Sequence, residues 1–144
     1  YQTVKDRLVN KRYDVEAAKR WIQRIRIKTP SAKTPVESLS GGNQQKVVLA
    51  KWLDVTPKVF IMVDPTRGID VGSKAEIYEL MDSLCAQGMS VIMITSEMPE
   101  LMAMSDRALI MCNGGIACEF AREELDQESV VAAAIGGTNN GANE

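Results

Sequence analysis

Apolar residues recur along the chain in distinct rhythms, and each rhythm predicts a different element. Over residues 14–25, Val15, Ala18, Trp21, Ile22 and Ile25 fall at steps of three and four, the spacing of one buried helical stripe. Thr29-Pro30-Ser31 is expected to end that helix, because a residue before proline is steered away from helical backbone. Residues 44–53 repeat the helical rhythm with Val48, Leu49 and Trp52 expected inward, and Ser40-Gly41-Gly42-Asn43 stands just ahead of them. In Val59-Phe60-Ile61-Met62-Val63 every position is apolar, the pattern of a central strand buried on both faces.

Strand and helix then alternate. Residues 74–87 gather Ile77, Leu80, Met81 and Leu84 on one side of a helix that Gly88 closes, and residues 91–95 form a second apolar strand. Strand, helix, strand in that order predicts a crossover and a parallel sheet. A short helix over 99–104 leads to apolar runs at 107–112 and 116–120, separated by Asn113-Gly114-Gly115, a hairpin signal. A last helix is expected over 126–135, followed by a Gly/Asn-rich tail, residues 136–144, expected to be disordered. The fold class predicted is α/β.

Composition changes this picture little. The 144 residues are 45% hydrophobic and 25% charged, as in an ordinary globular domain. Residues 1–33 hold ten Lys/Arg against three Asp/Glu, but these charges interleave with apolar positions and read as a solvated helix face. Cys85, Cys112 and Cys118 lack C-x-x-C spacing and there is no histidine, so neither zinc nor a disulfide framework is indicated, and buried thiols of a reduced cytosolic protein are expected. Met62, Met81, Met93 and Met111 are read as core filling. No apolar run is long enough to span a bilayer, so a membrane link would go through a partner. A start at Tyr1 rather than methionine reads as a piece of something longer.

The candidate chemistry lies in three polar loops. Ser-Gly-Gly before a helix offers an anion a hydroxyl donor, unobstructed backbone N–H groups and the positive end of a helix dipole, although alone it also serves as a plain N-cap. Asp64 closes the first apolar strand, where α/β sheets bind ligands, and is placed to hold Mg²⁺ and water. Pro65-Thr66-Arg67-Gly68-Ile69-Asp70 follows as a turn, and Thr95-Ser96-Glu97 closes the next strand at the same sheet edge.

Leu39-Ser40-Gly41-Gly42-Asn43-Gln44-Gln45-Lys46, Asp64-Pro65-Thr66-Arg67-Gly68-Ile69-Asp70-Val71-Gly72 and Thr95-Ser96-Glu97-Met98-Pro99-Glu100 together resemble the second nucleotide-binding domain of monosaccharide ABC importers, of the galactose/methyl-galactoside and ribose type. The resemblance runs from about Val4 to Ile135. It implies a partial P-loop-NTPase parallel sheet flanked by helices, with residues 1–36 as the end of a helical subdomain facing a permease and residues 37–135 as the C-terminal part of the cassette. It implies ATP and Mg²⁺ as cofactors. Ser40, Gly41, Gly42, Asn43 and Gln44 become the nucleotide-binding signature loop, Asp70 the D-loop aspartate of a dimer interface, Ser96 the switch residue and Asp64 the catalytic or metal carboxylate. The partners implied are a second nucleotide-binding domain, membrane permease subunits and, indirectly, a sugar-binding protein, with the chain peripheral at the cytoplasmic face of the membrane and no nucleic acid involved.

The chain departs from that pattern twice. The family's strand ends in Asp-Glu-Pro-Thr, whereas this one ends Val63-Asp64-Pro65-Thr66, so Asp64 stands either for the glutamate or for the metal aspartate. Side chains alternate along a strand, and neither alignment restores both carboxylates, so slow hydrolysis is expected at this site. No Gly-x-x-x-x-Gly-Lys-Ser/Thr loop occurs anywhere, so the chain alone is expected to hold ATP weakly and to serve, with its signature loop, an ATP held by a facing domain. A sheet without its first strands is expected to be partly exposed or held by self-association. Two other readings stand beside this one: a catalytically silent regulatory module, and a nucleic-acid-associated ABC ATPase.

Overall fold

A computed structural model describes residues 11–136. The chain divides between Ile94 and Thr95 into two compact units. The tail beyond Gly136, and the stretch before Lys11, lie outside the described residues.

The first unit contains α1 (Lys11–Arg24), α2 (Gly41–Leu53), β1 (Val59–Val63), α3 (Val71–Ala86) and β2 (Ser90–Ile94). β1 and β2 pair in parallel, with Val59 opposite Ser90 and Val63 opposite Ile94, as the crossover predicted. The buried side chains are Trp21 and Ile25, then Leu49 and Leu53 of α2, Phe60 and Met62 of β1, and Ile77, Met81 and Leu84 of α3. Trp21 also donates its indole Nε1–H to Asp54 Oδ1 at 2.8 Å, tying α1 to the end of α2.

Four expectations need correction here. The strand β1 is buried on one face only: Phe60 and Met62 point inward while Val59, Ile61 and Val63 are exposed. Val48 and Trp52 of α2 also face outward, because that helix turns Gly42, Lys46, Leu49, Ala50 and Leu53 inward instead. The first helix ends at Arg24, ahead of Pro30, where Arg26 takes a left-handed φ of 52° and turns the chain. Finally, Cys85 is exposed and Cys112 and Cys118 are half-buried, all three free.

In the second unit, α4 (Met98–Met104) precedes the antiparallel pair β3 (Arg107–Cys112) and β4 (Gly115–Ala121), and α5 (Gln127–Ala134) closes it. Asn113 and Gly114, at φ 50° and 80°, make the tight turn that the sequence signalled. The core is small, with Ala108 and Ile110 from β3 against Val130 and Ala133 from α5, flanked by Leu101 and Phe120. Met111 points away from it and is exposed, contrary to its reading as core filling. Arg122 closes the end of α4 by donating to the carbonyls of Met102, Ala103 and Ser105 at 2.9–3.2 Å.

Gly88 ends α3 as a Schellman turn: its N–H reaches Cys85 O at 2.9 Å and Met89 N–H reaches Leu84 O at 3.1 Å. Its φ of 87° is where a Cβ is penalised. Gly88→Ala should therefore lower the unfolding free energy by about 1 kcal/mol. Chemical denaturation of the two proteins measures it, and equal midpoints would refute the strain at this turn.

Candidate functional site

The glycines of Ser40-Gly41-Gly42-Asn43 do not precede α2; they form its first turn, with Ser40 as N-cap. Ser40 is extended, at φ −61° and ψ 154°, and its hydroxyl makes no capping bond to the helix backbone. Inside the helix the first satisfied donor is Gln44 N–H, bonded to Ser40 O at 2.9 Å. The N–H groups of Gly41, Gly42 and Asn43 therefore lead the helix without an intrahelical acceptor, as helix geometry requires.

Side chains around the loop set its shape. Asn43 donates its Nδ2–H to Ser40 Oγ at 2.8 Å, while its Oδ1 accepts the Lys28 N–H at 2.7 Å. That bond uses one of the two lone pairs of the serine oxygen and leaves the hydroxyl proton available to be donated elsewhere. Gln44 sends its amide Nε2–H to Leu39 O at 2.8 Å, fixing the chain just ahead of the loop. The amides of Asn43 and Gln44 are thus engaged in building the loop.

Lys46, one turn further, is only 2% exposed. Its ammonium donates to Glu76 Oε2 at 2.5 Å and to Arg26 O at 3.2 Å, so one charge ties α2 to α3 and to the chain after α1. The Lys46 hydrogen bond, reinforced by the charges of Lys46 and Lys28, holds the Glu76 carboxyl below the usual glutamate range.

The segment 68–73 meets this loop directly. A Cβ built on Gly42 would lie 2.2 Å from Ser73 Oγ, and one on Gly41 would lie 3.7 Å from Ile69 Cγ2. Gly42 is therefore required by the close approach of α2 to α3, a reason the sequence reading did not give. Asp70 caps α3 with both carboxylate oxygens, Oδ1 accepting Ser73 N–H at 3.0 Å and Oδ2 the Ser73 hydroxyl at 2.7 Å. Those two bonds, the hydroxyl's first, lower the Asp70 carboxyl from its ordinary value.

Asp64 follows β1 in a left-handed conformation, φ 44°, with its N–H extending the ladder to Ile94 O at 2.8 Å. Its carboxylate lies 3.6 Å from the exposed Arg67 guanidinium. Pro65 and Thr66 beyond it are fully buried and anchor the turn. Among the described residues no group of three acidic, cysteine or histidine side chains could cage a metal ion. Mg²⁺ typically takes one or two carboxylates and completes its shell with water and phosphate oxygens, so Asp64 fits as a single protein ligand to a nucleotide-borne ion. Ser96 belongs to the second unit, exposed in a turn that Thr95 fixes: the Thr95 hydroxyl bonds to Glu100 and accepts Glu97 N–H at 3.0 Å.

Sequence reading missed Lys28, Lys46, Ser73 and Glu76. Only Lys46 carried a signal, since it stands four residues after Gly42 and three before Leu49 on one helical face.

Asp70 gives a direct check on this geometry. A depressed carboxyl contributes stability that is present above the ordinary aspartate pKa, about 3.9, and is lost as pH falls through the lowered value. Ser73→Ala should raise the Asp70 pKa toward the ordinary value, and Gly42→Ala, by displacing Ser73, should shift it in the same direction. Carboxyl-detected NMR titration reads both, and an Asp70 curve unmoved by either change would rule out the contact.

No family model matches the chain. A xylose import ATP-binding protein of Moorella thermoacetica is 48% identical over 130 residues, covering 90% of this chain and 26% of that protein. An arabinose import ATP-binding protein of Rhizobium meliloti is 48% identical over 129 residues, 89% of this chain and 25% of its own length. A ribose import ATP-binding protein of Oceanobacillus iheyensis is 51% identical over 119 residues, 83% and 24% respectively. The chain thus spans about a quarter of the length of these relatives.

In fold, it is similar to an ATP-binding cassette of an ABC transporter at TM-score 0.74 and 24% identity, covering 94% of this chain and 55% of that one. A nucleotide-free ABC cassette superposes at TM-score 0.75 and 23% identity, covering 93% and 55%. Sequence and fold together make this chain a homologue of part of the ABC-type sugar import ATP-binding proteins, built on the α/β fold of the ABC ATPase cassette.

Proposed function

We propose that this chain serves as the C-terminal part of a nucleotide-binding domain in the ATP-binding, energy-coupling subunit of an ABC sugar importer. In that role it donates the loop 40–43 to ATP held by a facing domain. The observation that carries the reading is the Ser40 hydroxyl: it accepts from Asn43 and makes no capping bond, so its proton is available to an anion beside the leading N–H groups of α2. Asn43 and Gln44 then act on phosphate through the loop's shape rather than by touching it. The coarse function rests on homology to xylose, arabinose and ribose import proteins.

The remaining assignments follow from the same reading. Residues 1–36 are the end of a helical subdomain directed at permease subunits, and Asp70 lies where two cassettes meet. The subunit is peripheral to the membrane, in keeping with the absence, among the described residues, of any helix long and apolar enough to cross it. ATP with Mg²⁺ is the cofactor, and its phosphate groups supply most of the metal's ligands. Near Asp64 turnover is slow, since one carboxylate already facing Arg67 must do what two do elsewhere in the family. Ser96, in the second unit, is assigned the switch role.

Two measurements test the proposal. The isolated chain, lacking a phosphate loop, should bind ATP with a Kd no tighter than about 1 mM by calorimetry. A photoreactive group on the γ-phosphate of ATP should label residues 40–43 once a complete cassette domain is added; labelling that needs no second domain, or that never reaches this loop, refutes donation in trans. In a complete subunit carrying this segment, inserting glutamate between Asp64 and Pro65 should raise turnover, by up to roughly 10²-fold. Unchanged turnover would refute the slow-site assignment.

A further inference from the structure

The first unit holds a cavity of about 240 Å³ where the strands of its sheet begin. Lys58 and Met89, which line it, stand one residue before β1 and β2, whereas Asp64 follows the other end of β1, a five-residue strand of roughly 16 Å. Leu53, which also lines it, ends α2, and Ser40 caps the opposite end of that helix, roughly 20 Å along its axis. The cavity is therefore separate from the site around Ser40 and Asp64. Its floor is the Trp21 ring with Leu53 and Leu84, which are 2% and 3% exposed. Main-chain bonds hold the walls: the Schellman turn at Gly88, Thr56 N–H to Leu53 O at 2.9 Å, and Ser90 N–H to Lys58 O at 3.0 Å.

Two cations, Arg24 and Lys58, line this apolar floor. The Arg24 guanidinium lies 5.0 Å from the centre of the Trp21 ring and donates Nη2–H to Gln87 Oε1 at 2.6 Å. Gln87 in turn donates Nε2–H to Ser83 O at 2.7 Å. The guanidinium is thus oriented by a ring and a neutral amide, and the bond to Gln87 uses one of its five N–H donors. Among the described residues neither Arg24 nor Lys58 is paired with a carboxylate. Asp54, next after Leu53, is directed to other donors: its Oδ1 accepts from Trp21 Nε1 and lies 3.4 Å from Arg20 Nη2.

We propose that this cavity binds a small amphipathic carboxylate, an aryl or branched-alkyl acid of about ten non-hydrogen atoms, with its apolar body on Leu53, Leu84 and Met89 and its carboxylate between Arg24 and Lys58. The lining selects that class. Small-molecule sites join an apolar wall to a few convergent polar groups, and this one is smaller than the roughly 300 Å³ at which pockets for drug-sized ligands begin. The planar edge of a guanidinium matches a planar carboxylate through two parallel hydrogen bonds, and an ammonium adds a second charge. A sugar or sugar phosphate fits less well, because its hydroxyls would lie unpaired against leucine and methionine side chains. This inference does not depend on the role given to Ser40.

The test uses the 144-residue chain in a Trp52→Phe background, which leaves Trp21 as its one tryptophan. Phenylacetate and 4-methylpentanoate, titrated separately at low ionic strength, should each change Trp21 emission saturably, with a Kd of about 1 mM or tighter. Phenylacetamide, which keeps the shape and loses the charge, should bind at least roughly 10-fold more weakly. Inorganic phosphate, an anion without an apolar body, should neither alter the emission nor compete. Arg24→Gln and Lys58→Gln should each weaken binding of phenylacetate at least roughly 5-fold, whereas Lys33→Gln, which removes a charge that does not line the cavity, should leave it intact. Lys58 is exposed, so its variant keeps the test decisive if Arg24→Gln disturbs the fold. Saturable binding of neither acid, equal binding of phenylacetamide, displacement by phosphate, or an affinity unchanged in Lys58→Gln would each overturn the proposal.

Discussion

The buried ammonium of Lys46 is the constraint on which the first unit's arrangement depends. A charge 2% exposed persists only with partners, and it has two on different segments: the Glu76 carboxylate of α3 and the Arg26 carbonyl after α1. Three stretches far apart in sequence are therefore registered by one atom. Because α2 is oriented by that atom, Gly42 one turn earlier is brought against Ser73, and Asn43, which also holds Ser40 at the cap, is brought within reach of the Lys28 N–H. The start of the helix owes its placement against α3 to a cation one turn further along.

That constraint also explains which parts of the fold were legible in the sequence. Strand β1, the crossover to β2, the tight turn at Asn113-Gly114 and the helix starting after Asp126 depend on local chemistry, and the periodicity marks them within a residue or two. The facing of α2 does not. Hydrophobicity alone turns Val48 and Trp52 inward, but the helix buries residues 42, 46, 49, 50 and 53, a row that includes a glycine and a lysine. The row has helical spacing; only its chemistry hides it, because Gly42 is inward for closeness and Lys46 for a charge whose partner is thirty residues away. The exposed face of β1 misled in the converse way: a strand apolar at every position is written to be covered twice, and this chain covers it once.

For the candidate site the limit was different in kind. Residue types and spacing were enough to single out Ser40, Gly41, Gly42 and Asp70, but not to say what each touches. Asp70 reads as an interface residue, and each of its carboxylate oxygens also accepts a bond from Ser73 in capping α3. Asn43 reads as a nucleotide contact, and its amide is spent between Ser40 and Lys28. The Asp70–Ser73 and Ser40–Asn43 bonds are local cap chemistry, but the Lys28–Asn43 bond spans fifteen residues and no local pattern encodes it.

Helix α2 therefore carries two relationships at once. Its buried row, through Gly42 and Lys46, sets the loop 40–43 against α3 and the Asp70 cap. Its outward row, Val48 and Trp52, forms one wall of a groove along β1. Packed helices respond to displacement as rigid bodies, since interiors at crystal-like density do not deform gradually. Any shift or rotation of α2 imposed from its outward row must be felt at Ser40, whose side chain is tethered, among the described residues, by the Asn43 amide. The placing of the loop 40–43 and the wall of the groove along β1 are, on this geometry, two consequences of where a single thirteen-residue helix comes to rest.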